Sequence, residues 1–421
     1  MMSESYPKAR GIMWKEWYVF LILTALFFAI DGHNLKTSLP GEGSLSSTVD
    51  VVNEGRMERK LGFFTLFGLS VLSLFRKERK RVRINGHIGW IIILFITWAV
   101  YSLAWSNEIN LTFRRIVVLI FVTFAAFSLS ERFSVRMMML WLFLATLLYS
   151  FIGLIAEISF STFTPFQGDY RFSGSLHPNH QGINCALTVI SGLCLFKIHS
   201  KFRKLVTAII CVSIVLLILT KSRTAFMSLI LVLAIYSILT FKKTAKISII
   251  FTSVILFCLL ALFAGDALFP AFEDAVLMGR DSEQEGVQSL TGRTPLWGIC
   301  MTYLWDRPVL GYGYGAFWTD ETIARISASQ HWLIGESHNA YLEIALQLGL
   351  IGAMMYIWLL LGGFIRAFHY YNITKNAAYL FIILLLVFCI FNGLLESGVI
   401  FPGMLMFLCF STLMYLGFTY E

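Results

Sequence analysis

The feature that most constrains this chain is a succession of apolar runs that reach, or nearly reach, the length of a bilayer crossing. They lie at residues 17–30, 61–75, 88–105, 116–130, 137–156, 182–196, 205–220, 225–241, 247–264, 348–365, 377–395 and 399–418. An upright helix needs about 20 apolar residues to cross the hydrocarbon core, so the shorter runs take flanking residues into their helices. The expected fold is all-α and polytopic, with about 12 transmembrane helices. Composition agrees: 57% of residues are hydrophobic and only 14% charged, against roughly 25% charged in a soluble domain. No small-residue cleavage site follows the first run, which is therefore expected to stay as the first helix.

The net charge of +8 is not spread over one folded surface. It sits in short loops: Lys8, Arg10 and Lys15; Arg76 to Arg83; Lys197 to Lys204; and Lys242, Lys243 and Lys246. These clusters are separated by even numbers of spans, which is the pattern that orients helices during insertion. They place both termini and all the clusters in the cytoplasm, and they speak against a nucleic-acid partner. The domain reading is residues 1–264 as helices one to nine, 265–339 as a large, mostly helical periplasmic loop, and 340–421 as the last three helices. The seven cysteines form no CxxC pair and, Cys300 apart, fall in apolar runs. Neither a disulfide framework nor a thiolate metal site is expected.

Five segments expected on the outer face could carry chemistry. Arg223 interrupts two apolar runs with almost no loop, an expensive place for a cation unless it has work or snorkels. Gly292-Arg293-Thr294-Pro295-Leu296-Trp297 reads as a helix start, with Thr294 as cap, Pro295 in the first turn and Arg293 beside an anion-favouring terminus; a structural ion pair is the plain alternative. Ser337-His338-Asn339 is expected to cap the tenth span, with the field of that helix favouring a neutral imidazole at His338, the state a general base needs. In Arg171 to Gly182, His177 and His180 lack a third ligand for zinc and read as a polar turn whose His177 and Asn179 can contact a sugar. Gly311-Tyr312-Gly313-Tyr314-Gly315 is expected to be a flexible turn offering ring faces to sugars, Tyr312 among them. The acidic run 281–285 reads as a solvated loop, and Asp31 with His33 as a weaker acidic candidate.

Taken in order around a large loop, Ser222-Arg223-Thr224, the Gly-Arg-Thr-Pro-Leu-Trp segment, Gly311-Tyr312-Gly313 and Ser337-His338-Asn339 resemble the bacterial O-antigen ligase and polysaccharide polymerase family. Thr112-Phe113-Arg114-Arg115 is similar to that family's second outer loop. The resemblance implies a type C glycosyltransferase-like fold in the inner (cytoplasmic) membrane, with a periplasmic site and neither cofactor nor metal. It implies a donor glycan on undecaprenyl diphosphate, and an acceptor that is lipid A core, another lipid-linked repeat or a protein. By motif it assigns Arg223 and Arg293 to the diphosphate and His338 to catalysis, with His177, Asn179, Asn339 and Tyr312 as candidate substrate contacts.

The residue chemistry fits that implication, because guanidinium forks are the metal-free way to stabilise a leaving diphosphate. The alternative is a transporter or flippase of lipid-linked oligosaccharide. Transporters place ionisable residues or broken helices near midplane in related halves, and the expected span centres here carry no Asp, Glu, Lys or Arg.

Overall fold

The computed structural model describes residues 19, 21–25, 57–74, 81–167, 170–198, 200–241, 288–330 and 333–420. The expected span at 247–264, most of the first, the clusters at 76–80 and 242–246, the acidic run 281–285, and Asp31 with His33 lie outside the described residues.

The described chain is mostly helical. In chain order it comprises α1 (Met57–Leu74), α2 (Gly86–Tyr101), α3 (Ile109–Arg132), α4 (Val135–Ser159), α5 (Pro178–Ile198), α6 (Arg203–Leu219) and α7 (Arg223–Thr240). It continues with α8 (Gln288–Asp306), α9 (Asp320–Gln330), α10 (Ala340–Thr374), α11 (Ala377–Asn392) and α12 (Met404–Gly417). Six stretches among the described residues are long and apolar enough to cross a membrane: Gly86–Ala104, Ile109–Arg132, Val135–Ser159, Pro178–Ile198, Arg223–Thr240 and Ala340–Thr374. The helices from Ile109, Val135 and Pro178 run past their apolar runs, whereas Ala377–Asn392 and Met404–Gly417 stop short of theirs. α3 starts at Ile109 rather than near 116, which brings Arg114 and Arg115 inside the helix, before the apolar run.

α11 is the central post. Every side chain from Leu380 to Leu386 is fully buried, and the helix packs on α5, α7, α10 and α12. A helix that is apolar all round belongs inside protein or lipid; here protein surrounds it, so its short length needs no match to bilayer thickness. On the outside, Leu148, Phe151, Ile152 and Ile155 make an exposed apolar stripe along α4, and Val212, Val215 and Ile218 another along α6. Such stripes at helical spacing suit contact with lipid.

The helix ends sort into two groups. At one end Asn85 N–H donates to Gly417 O, Arg132 to Leu74 O, and Lys197 Nζ to Tyr371 Oη. At the other Trp105 Nε1 donates to Leu310 O, Phe172 N–H to Leu219 O, and Asn339 Nδ2 to Leu394 O. The first end also holds a small departure from an all-α fold. Val82–Ile84 (β1) and Phe418–Tyr420 (β2) pair antiparallel, with Val82 opposite Tyr420 and Ile84 opposite Phe418. These short β-branched and aromatic segments meet where α2 and α12 end side by side.

α10 is broken. Gly349 has φ 70° and ψ −177°, a conformation open in practice to glycine alone. The break frees carbonyls that an unbroken helix would satisfy, and they find other donors: Tyr312 N–H reaches Leu346 O and Gly313 N–H reaches Gln347 O, both at 2.9 Å, while Trp98 Nε1 reaches Leu348 O at 3.0 Å. Residues 308–315 thus lie as a strap along the break, with Gly311, Gly313 and Gly315 all at positive φ. The glycines serve this close approach. A Cβ on Gly311 would sit 2.6 Å from the Gln347 carbonyl carbon.

Candidate active site

The site collects where α11 ends. Beyond Asn392 the chain turns, and Glu396 N–H donates back to Asn392 O at 2.9 Å. Ala340 N–H donates to Gly393 O at 2.8 Å, locking this turn to the start of α10. Asn339 caps α10: its Oδ1 accepts from the Tyr341 and Leu342 amides, both at 3.0 Å, and its Nδ2 donates to Leu394 O at 3.1 Å. The expected cap is therefore present, and both ends of the Asn339 amide are engaged in it. His338, just before the cap, has φ 51°.

Glu396 is the hub. Its Oε1 receives Arg293 Nη2 at 3.0 Å, Asn179 Nδ2 at 3.1 Å and Thr224 Oγ1 at 3.5 Å. Its Oε2 lies 3.6 Å from His338 Nδ1, which is also 3.2 Å from Glu336 Oε1. Asn179 links outward again, its Oδ1 accepting from Arg171 Nη2 at 2.8 Å, while Arg171 Nε donates to Thr220 O at 3.0 Å. Side chains from the start of α5, the start of α7, α8, the loop before α10 and the turn after α11 thus converge on one carboxylate.

The charges settle each other. Burial raises the pKa of Glu396, but the approach of His338 and the charge of Arg293 outweigh it and hold the carboxyl below its ordinary value. Burial lowers the pKa of His338, yet the approach of Glu396 and the charge of Glu336 raise it on balance. Glu336 is raised by burial, against the pull of His338 and with the push of Glu396. His177 is held down at about 4 by burial, then by His180 and Arg171. The neutral bias expected for His338 from the helix field is therefore corrected: two carboxylates within 3.6 Å outweigh the half-charge of a helix terminus.

Ligand atoms of Glu336, His338 and Glu396 lie within 4.8 Å of one another, close enough to surround a cation. The Arg293 guanidinium already supplies positive charge 3.0 Å from Glu396, so the set reads as an ion-pair network.

Arg293, His338 and Asn179 are brought together around Glu396. Asn339 borders them as a cap. Arg223 opens α7 next to Thr224, with one terminal nitrogen buried. His177 is exposed beside them, its Nδ1 accepting from Asn179 N–H at 3.3 Å. Tyr312 goes elsewhere. Its ring packs edge-on against Tyr303 and Phe317, its hydroxyl donates to Tyr303 O at 3.0 Å, and Arg307 covers its face. The Gly-Tyr segment is a packed strap here, not a flexible sugar platform. Arg293 also differs in setting: α8 begins at Gln288 and has Pro295 inside it, so Thr294 is not its cap and helical register places the guanidinium.

Glu396 escaped the sequence reading, although the signal was present. It is a lone acid in a gap of a few residues between two apolar runs, the same sign that singled out Arg223. Glu343 also matters. It is fully buried and accepts from Ser337 N–H at 2.9 Å, Trp318 Nε1 at 2.8 Å and Gln347 Nε2 at 3.0 Å, tying the chain before His338 to the strap.

Residues 205–357 match a family model described as O-antigen ligase. The match supports an O-antigen ligase-like family for this chain. A comparison with curated proteins gives no match. The matched stretch runs from α6 into α10 and includes Arg223, Arg293, Tyr312, His338 and Asn339. Asn179, His177 and Glu396 lie outside it in sequence and reach it only through the fold.

Proposed function

We propose that this chain is a glycosyltransferase that moves a glycan from undecaprenyl diphosphate to an acceptor hydroxyl at the periplasmic face of the inner membrane. The observation that carries the reading is the meeting of Arg293 and His338 on one carboxylate within a chain that matches the ligase family model. In the proposed step the acceptor oxygen attacks the anomeric carbon from the side opposite the leaving group. Its proton passes to His338, and the bond from the anomeric carbon to the diphosphate oxygen breaks. Undecaprenyl diphosphate leaves with the electron pair, and configuration inverts. Arg293 has five N–H donors, one of them turned to Glu396, so others remain for the developing charge. Arg223 is its expected partner on the diphosphate. His177 and Asn179 are suited to sugar hydroxyls.

The transporter reading has one observation in its favour, the broken α10. The freed carbonyls of that break are taken by Tyr312, Gly313 and Trp98, so they line no path for an ion, and the enzyme reading stands ahead.

The test is transfer by the purified chain from an undecaprenyl diphosphate-linked glycan in EDTA, with lipid A core or a second lipid-linked repeat as acceptor. Product with the first acceptor indicates a ligase, with the second a polymerase. His338→Ala is expected to abolish transfer and leave membrane insertion intact; normal product from that variant refutes the catalytic assignment.

A further inference from the structure

We propose that Glu396 is the positioning residue of this site, a single carboxylate whose two oxygens hold His338 and Arg293 in place for the transfer. The proposal rests on the glycosyl-transfer reading and adds the group that couples its two functional side chains.

The geometry divides the work between the oxygens. Oε1 gathers Arg293, Asn179 and Thr224 at 3.0, 3.1 and 3.5 Å, and Oε2 faces His338 Nδ1 at 3.6 Å. Two carboxylates, which can only accept, face Nδ1 at 3.2 and 3.6 Å; they favour the proton on that nitrogen and leave Nε2 as the ring nitrogen to act as base. Glu336 also faces Nδ1, but it sits two residues from His338 on the same loop and is 31% exposed, against 10% for Glu396. Glu396 comes from a different element, anchored by its own N–H on Asn392 and by the neighbouring contacts of Gly393 with Ala340 and Leu394 with Asn339. It therefore approaches the imidazole from outside the loop that carries it. The ionisable groups that face His338 are Glu336 from its loop, Glu396 from beyond α11, Arg293 from α8 and His177 from α5.

The experiment compares the wild-type chain with Glu396→Gln, which keeps the shape and removes the charge. In the transfer assay kcat is expected to fall about 100-fold, the scale of a misplaced general base, while the donor KM stays level or drops because Arg293 keeps its charge. The acid limb of the pH profile should move to lower pH, since removing the carboxylate makes His338 easier to deprotonate. Glu396→Asp should recover part of kcat. A second readout needs no activity: the pH dependence of diethylpyrocarbonate modification at His338, followed by mass spectrometry of its peptide. In the wild type its midpoint is expected above the ordinary imidazole value of about 6.5, and below the wild-type midpoint in the Gln variant. Wild-type kcat in Glu396→Gln overturns the proposal, and so does a wild-type midpoint below 6.5, which stays measurable even if the variant does not fold. An inactive wild-type chain with His338 coupled to Glu396 would remove the transfer reading alone; an active one with His338 uncoupled would remove this proposal alone.

Discussion

Replacing Gly349 by alanine tests whether the break in α10 holds the molecule together around the site. Two costs are calculable. The first is conformational, because alanine is forced to φ 70° and ψ −177°, a region that costs about 1–3 kcal/mol for a residue with a side chain. The second is steric. The new Cβ would stand 1.9 Å from Val309 O and 2.7 Å from Leu310 N, both backbone atoms that cannot rotate aside. The strap must shift, straining the Tyr312–Leu346, Gly313–Gln347 and Leu350–Pro308 hydrogen bonds, each 2.8–2.9 Å long. At about 0.5–1.5 kcal/mol net apiece, these add about 1.5–4.5 kcal/mol. The sum, about 2.5–7.5 kcal/mol, is a large part of the roughly 5–15 kcal/mol that keeps a domain folded.

Thermal unfolding in detergent can be followed with a thiol-reactive fluorophore, since Cys185, Cys194, Cys300, Cys389 and Cys409 are buried until the fold opens. A fall in midpoint on the order of 10 °C is expected. The control is Gly298→Ala, in α8, where a Cβ meets nothing within 4 Å and helix propensity predicts a gain of about 1 kcal/mol. If the Gly349 variant melts with the wild type while the control behaves as stated, the account of the broken helix is wrong.

Two further predictions concern the site. Arg293→Lys keeps the charge but loses the fork, so it cannot serve Glu396 and a diphosphate together; transfer should drop at least about tenfold, and full activity in the purified assay would contradict the role. Glu343→Ala leaves the Ser337 amide, Trp318 Nε1 and Gln347 Nε2 without their acceptor; a loss of about 3–5 kcal/mol is expected, read as a lower melting midpoint and red-shifted tryptophan emission, and an unchanged melt would show that the network is dispensable.

Much of the site was legible along the chain because its residues break local rules. A guanidinium between apolar runs, a histidine at a helix cap and an arginine-bearing outer segment are each anomalies that a linear reading detects. His338, Arg293 and Asn179 do meet. Tyr312 misled because alternating glycine and aromatic residues look the same whether the rings face a ligand or one another; which of these holds depends on α10 breaking alongside. Thr294-Pro295 misled for a related reason, since a helix-start pattern marks a start only if no earlier turn adds itself to the helix.

The sequence by itself determined that this is a helical membrane protein, because runs of apolar residues of bilayer-crossing length can be read along the chain. It also determined where charge interrupts apolar chain. Tertiary structure alone decided that an acid 58 residues beyond His338 comes to lie beside it and Arg293, and that neighbouring carboxylates raise the pKa of His338. Ionisation follows distances of 3–4 Å in space, and those distances exist only once α11 stands at the centre and delivers Glu396 between α5, α8 and α10.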